Sequence, residues 1–66
     1  MPDYVITIDY GREGLIAYRS RNRDLAHARR DARQLAKEER ERGISARIHR
    51  VESEKKDRER MEQEGF

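Results

Sequence analysis

The chain alternates apolar and polar positions twice at a period of two, and between the two stretches once at a period near 3.6. Tyr4 to Tyr10, YVITIDY, puts Tyr4, Ile6, Ile8 and Tyr10 on one side and Val5, Thr7 and Asp9 on the other. Strict alternation of β-branched and aromatic residues predicts a half-buried strand. Leu15 to Ser20 reads as a second, short strand. A three-residue loop Arg12-Glu13-Gly14, with glycine in the left-handed position, would join them. That register pairs Gly11 with Leu15, Tyr10 with Ile16 and Ile8 with Tyr18. Ile16 and Tyr18 then share the face of Ile6, Ile8 and Tyr10, whereas a one-residue slip would invert the second strand.

Asp24 to Arg42 carries the helical period. At about 100° per residue, Leu25, Ala28, Ala32, Leu35 and Ala36 fall within an arc roughly 100° wide, the width of a core-facing stripe. Its small side chains let the helix lie close to a sheet. Glu39 also falls inside this stripe, in the last turn, and takes no assigned role. Asn22 is the expected N-cap, with Asp24 in the first turn at the positive end of the helix dipole. Gly43 is placed to end the helix as a left-handed C′ residue. Ile44 to Val51 alternates again, with Ile44, Ala46 and Ile48 facing one way and Ser45, Arg47, His49 and Val51 the other.

The predicted order is β-β-α-β in residues 1–51, followed by a charged helical tail in residues 52–66. A right-handed crossover and an antiparallel hairpin give a three-stranded antiparallel sheet of order 2-1-3, with one helix on one face. The fold class is α+β. The expected core is Tyr4, Ile6, Ile8, Tyr10, Ile16, Tyr18, Leu25, Ala28, Ala32, Leu35, Ala46 and Ile48. The tail has no apolar stripe. It offers i,i+4 pairs such as Glu54 with Arg58 and Arg60 with Glu64, each worth a few tenths of a kcal/mol. It is expected to add little to the fold, with Met61 and Phe66 as its only apolar anchors.

Composition narrows the function. The chain has 66 residues, 45% of them charged and 33% hydrophobic, with 16 basic against 14 acidic residues. A chain this short is a single domain of marginal stability, burying only about 60% of its unfolded surface. The absence of cysteine excludes disulfides and thiolate metal sites. No apolar run approaches the roughly 20 residues of a membrane span, and the N-terminus has no basic region like that of a signal peptide. A cytoplasmic protein without membrane contact is expected. His27 pairs at four residues' spacing with Asp31 as an ordinary helix pair, and His49 falls on the open sheet face. Neither has the neighbours of a nucleophile–base set or a metal site. No enzyme activity, no cofactor and no metal are expected.

Two surfaces are candidates for binding. Of the 16 basic residues 13 are arginine, whose planar fork grips carboxylates and phosphates better than lysine does. Arg29, Arg33, Lys37 and Arg40 fall roughly 40° to 120° from Leu25 on the helix, with Asp31 and Glu38 on the opposite flank. Like charges at i,i+4 repel, so such a strip is a candidate footprint for nucleic acid or an acidic partner. The second surface is the open sheet face, lined by Val5, Thr7, Ala17, Arg19, Arg47, His49 and Val51. It is half apolar, and two edge strands flank it, which suits a partner protein or a homodimer. All three tyrosines fall on the buried face, so an aromatic platform for RNA bases is not expected.

The run YVITIDYGREGLIAY, the alanine-rich helix after it and the Gly-Ile-x-Ala-x-Ile strand resemble many small β-β-α-β proteins of bacteria and their phages, some anti-CRISPR proteins among them. The resemblance covers residues 3–51 and is one of pattern. It implies a non-enzymatic accessory protein that binds another protein, often blocking a nucleic-acid machine. The same start is distantly similar to the N-terminal domain of HicB antitoxins, although the Pro-rich loop usual after their second strand is absent between Tyr18 and Asp24. The expectation is therefore a protein-binding module. A nucleic-acid-binding module using the basic flank, or a HicB-like domain, is the alternative.

Overall fold

The computed structural model describes residues 2–65. Strand β1 spans Asp3–Asp9, a 3₁₀ turn Gly11–Glu13, β2 Leu15–Arg21, α1 Leu25–Glu41, β3 Arg47–Ser53 and α2 Glu54–Gln63. The sheet is antiparallel with order β2-β1-β3, and α1 packs on one face. The α+β class and the 2-1-3 order are those predicted.

The core forms where the alternation of β1 meets the small stripe of α1. Ile6, Ile8 and Tyr10 cluster with Ala32 and Ala46, and Tyr18, Leu35 and Val51 pack against them. Ala28, Ala32 and Ala36 are fully buried, so the helix backbone sits close on the sheet. Two expected core residues lie at the margin: Ile16 is 42% exposed and Ile48 39% exposed. Both are on edge strands, which one 17-residue helix is too narrow to cover. Leu25, at the start of α1, is half-buried.

The hairpin differs from the expected register by two residues. Asp9 pairs with Leu15, Ile8 with Ile16 and Ile6 with Tyr18. Because side chains alternate at a period of two, this shift leaves every face assignment intact. The connection is longer than three residues because Gly11 and Gly14 both take positive φ, at 71° and 86°. The Asp9 carboxylate accepts from the Gly11 amide at 2.8 Å, and the Tyr10 amide donates to the Gly14 carbonyl at 2.9 Å.

Asp24, not Asn22, is the N-cap of α1: its carboxylate accepts from the His27 amide at 2.9 Å. Asn22 instead donates its amide to the Pro2 carbonyl, extending the sheet edge. The helix ends in a Schellman motif, with Gly43 donating to Arg40 and Ile44 to Glu39. Ile44 is thus absorbed in the cap. The third strand begins at Arg47 and runs two residues beyond Val51, to Ser53.

A bulge in β3 has larger consequences. Ile8 pairs with Ile48, but Thr7 pairs with Arg50 and Ile6 with Val51. His49 is the extra residue. A bulge inserts one position and so reverses the facing of everything beyond it. Val51, expected on the open face, therefore packs into the core, and Arg50 takes the open-face place opposite Thr7.

Helix α2 follows β3 directly. Ser53 caps it by accepting from the Lys56 amide at 3.2 Å, so Glu52 and Ser53 belong to the sheet and not to the tail. No residue of α2 is buried. It touches β1 and β3 and is held by ions. Arg60 donates to Glu52 at 2.9 Å and pairs with Asp57 at 2.5 Å and Glu64 at 3.5 Å, while Glu54 pairs with Arg19 at 3.3 Å and Arg58 at 3.5 Å. Glu52 raises the Arg60 pKa by hydrogen bonding. Met61 is 45% exposed, and Phe66 lies outside the described residues. The shortest principal extent is 12 Å, the depth of one sheet and one helix, so among the described residues no third layer covers the whole open face.

Candidate functional site

The four basic residues of the α1 flank divide. Arg29, Arg33 and Lys37 are exposed. Arg40 donates from Nη1 to the Ala46 carbonyl at 3.0 Å, where it ties the helix end to the loop before β3. Its role is structural, and it leaves the strip.

The bulge supplies what the strip lacked. Arg29 and Arg33 form one wall of a groove of about 310 Å³ whose floor and far wall are Ile48, His49, Arg50 and Val51. His49 is thus found beside the arginines of α1 and not on the open face. Among the described residues no carboxylate lines the groove. Its outer boundary is β3, an edge strand with one side unpaired. Simple alternation through Ile44–Val51 puts Arg50 on the α1 side with Ile48, whereas the bulge pairs it with Thr7 on the open face, and it borders the groove from β3.

The net charge is only +2, yet the fold distributes it unevenly. The acids are largely engaged in local structure. Asp24 caps α1 and holds His27 Nδ1 at 2.7 Å; these bonds, the side-chain one foremost, lower its pKa. Asp31 does not pair with His27. It accepts from Ser20 Oγ at 2.6 Å and from Asn22 at 3.1 Å, which hold its carboxyl below the usual carboxylate range. Glu52, Asp57 and Glu64 surround Arg60. By contrast, Arg29, Arg33, Lys37 and Arg50 have no ion-pair partner among the described residues. The α1–β3 side therefore presents uncompensated positive charge beside exposed apolar surface.

The open sheet face is less apolar than its pattern suggested. Val5 is half-buried and Thr7, in the middle of the central strand, is buried. Ala17 is exposed, Arg19 is turned to Glu54, and Arg47 stands opposite Asp9. With Val51 withdrawn and Arg50 added, the face is mainly charged.

Among the described residues no group of three or more His, Cys, Asp or Glu could hold a metal ion, and no helix is long and apolar enough to cross a membrane. No family model, curated protein or solved structure matches the chain.

Proposed function

We propose that the chain is a non-enzymatic protein-binding module, and that its working surface is the groove between α1 and β3. The partner presents an acidic, extended segment. The observation that carries this reading is the pairing of an apolar floor, Ile48 and Val51, with Arg29 and Arg33, neither of them neutralised within the described residues. Arginine forks hold carboxylates bidentately, and the floor takes an apolar side chain between them. At about 310 Å³ the groove is at the small end of the range for ligand pockets, which fits a few side chains of a segment rather than a folded domain.

The test is fluorescence anisotropy with a labelled peptide of alternating glutamate and leucine, against a duplex oligonucleotide of equal charge. The peptide is expected to bind more tightly, and Arg33→Glu to abolish that binding while leaving the melting temperature near wild type. A specific observation favours a second reading: Arg29, Arg30, Arg33 and Lys37 are all exposed along one helix, as a phosphate footprint would be. In that case the duplex binds better, and its affinity falls with a log–log salt slope of about −0.9 per phosphate neutralised.

A further inference from the structure

We infer that a second cavity, between the β1–β2 turn and the last turn of α1, is a receptor for a cationic side chain: a guanidinium or ammonium group on an aliphatic stem. The cavity encloses about 200 Å³ and is lined by Tyr10, Glu13, Ile16, Tyr18, Glu39 and Ile44. It lies apart from the α1–β3 groove and does not depend on that groove's function.

Its walls come from separate parts of the chain, and the fold fixes each one. Tyr10 follows β1 and is held by the hydrogen bond its backbone N–H donates to the Gly14 carbonyl. Ile16 and Tyr18 are core-side residues of β2. Glu39 and Ile44 are the two ends of one Schellman hydrogen bond, 3.0 Å from the Ile44 amide to the Glu39 carbonyl. The Tyr10 and Tyr18 hydroxyls meet at 2.7 Å. One donates to the other, which leaves phenol lone pairs as acceptors beside two aromatic rings.

The ligand class follows from what the cavity contains and what its carboxylates lack. Neither Glu13 nor Glu39 has a cation within ion-pair distance among the described residues, although the chain carries 16 lysines and arginines. Arg40, adjacent to Glu39 in sequence, is committed to the Ala46 carbonyl. Glu39 is half-buried, within the apolar stripe of α1. The Tyr10 pKa is pushed up to about 12, first by the hydrogen bond with Tyr18, then by burial, with smaller contributions from Tyr18, Glu39 and Glu13. Both carboxylates therefore direct negative potential at the tyrosine pair. Two anions and phenol acceptors repel an anionic ligand and attract a cation. Ile16, 42% exposed, and Ile44, 39% exposed, supply the apolar surface that a lysine or arginine stem covers.

The test is an NMR titration of the intact chain, following the ring signals of Tyr10 and Tyr18. The probes are N-acetyl-arginine amide, N-acetyl-lysine amide and, as the neutral isostere, N-acetyl-citrulline amide. The cationic probes should shift both rings saturably, and the citrulline probe should not. Tighter binding of one cation identifies the head group preferred. Glu39→Gln should weaken binding about tenfold, the loss of one charge-assisted bond of about 1.4 kcal/mol. Glu13→Gln, on the exposed turn, should do the same and carries the test if Glu39→Gln impairs folding. Equal shifts with citrulline, no shift with either cation, or unchanged affinity in a folded Gln variant would overturn the inference.

Discussion

The bulge in β3 can be tested by two alanine substitutions two residues apart. Val51 packs against the core cluster, whereas His49, the inserted residue, is exposed. Val51→Ala removes two methyl groups, each worth about 0.8 kcal/mol when fully buried. Val51 is only partly buried, so the cost is about 1 kcal/mol. A domain of this size loses about 4–8 °C of melting temperature per kcal/mol. Thermal unfolding followed by circular dichroism should therefore show Val51→Ala melting about 4–8 °C below wild type. His49→Ala should stay within about 0.5 kcal/mol, as surface changes do. Under unbroken alternation both residues would face solvent on the open side, and both changes would be neutral. A Val51→Ala variant that melts like wild type would refute the bulged register and, with it, the groove built on it.

Two further perturbations address the helices. Asp31 has a folded pKa below its unfolded value near 3.9 because Ser20 and Asn22 hydrogen-bond it; its stabilisation is present above about pH 4 and lost as pH falls through the folded value. Asp31→Asn should lower the melting temperature at pH 7 and flatten its decline below pH 4, and an unchanged acid profile would show that the carboxylate is not bonded. Deleting residues 54–66 should cost at most about 1 kcal/mol, since α2 buries no residue and its ion pairs are partly exposed; differential scanning calorimetry should show the shortened chain melting cooperatively within about 8 °C of wild type, and unfolding or aggregation would mean that α2 is part of the core.

The sheet order, the helix and most of the core were legible because side-chain period is the strongest local signal a sequence carries. Ile6 and Ile8 on β1 with Tyr10 just after it, and Ala28, Ala32 and Ala36 on one helix, leave few alternative packings. The hairpin register was off by two residues, yet the faces survived, since only an odd shift exchanges them. The bulge at His49 was not legible: it breaks the period at one residue, and Ile44, Ala46 and Ile48 gave a regular strand no sign of interruption. That single residue moved Val51 into the core, brought His49 beside the arginines of α1 and turned Arg50 to the open face. Glu39 was visible as an acid in an apolar stripe, but its meaning needed Tyr10, Tyr18 and Glu13, which the fold brings together from the first hairpin. Arg40 reads as one more charge in a strip until its bond to the Ala46 carbonyl is seen.

The most direct measurement of the proposed function is amide chemical-shift mapping of the isotope-labelled chain with the glutamate–leucine peptide bound. The α1–β3 groove predicts the largest shifts at Arg29, Arg33 and Ile48 to Val51, with little change along β2, and their loss in Arg33→Glu. Shifts centred on β2 or the open sheet face, or a map unchanged by Arg33→Glu, would contradict it.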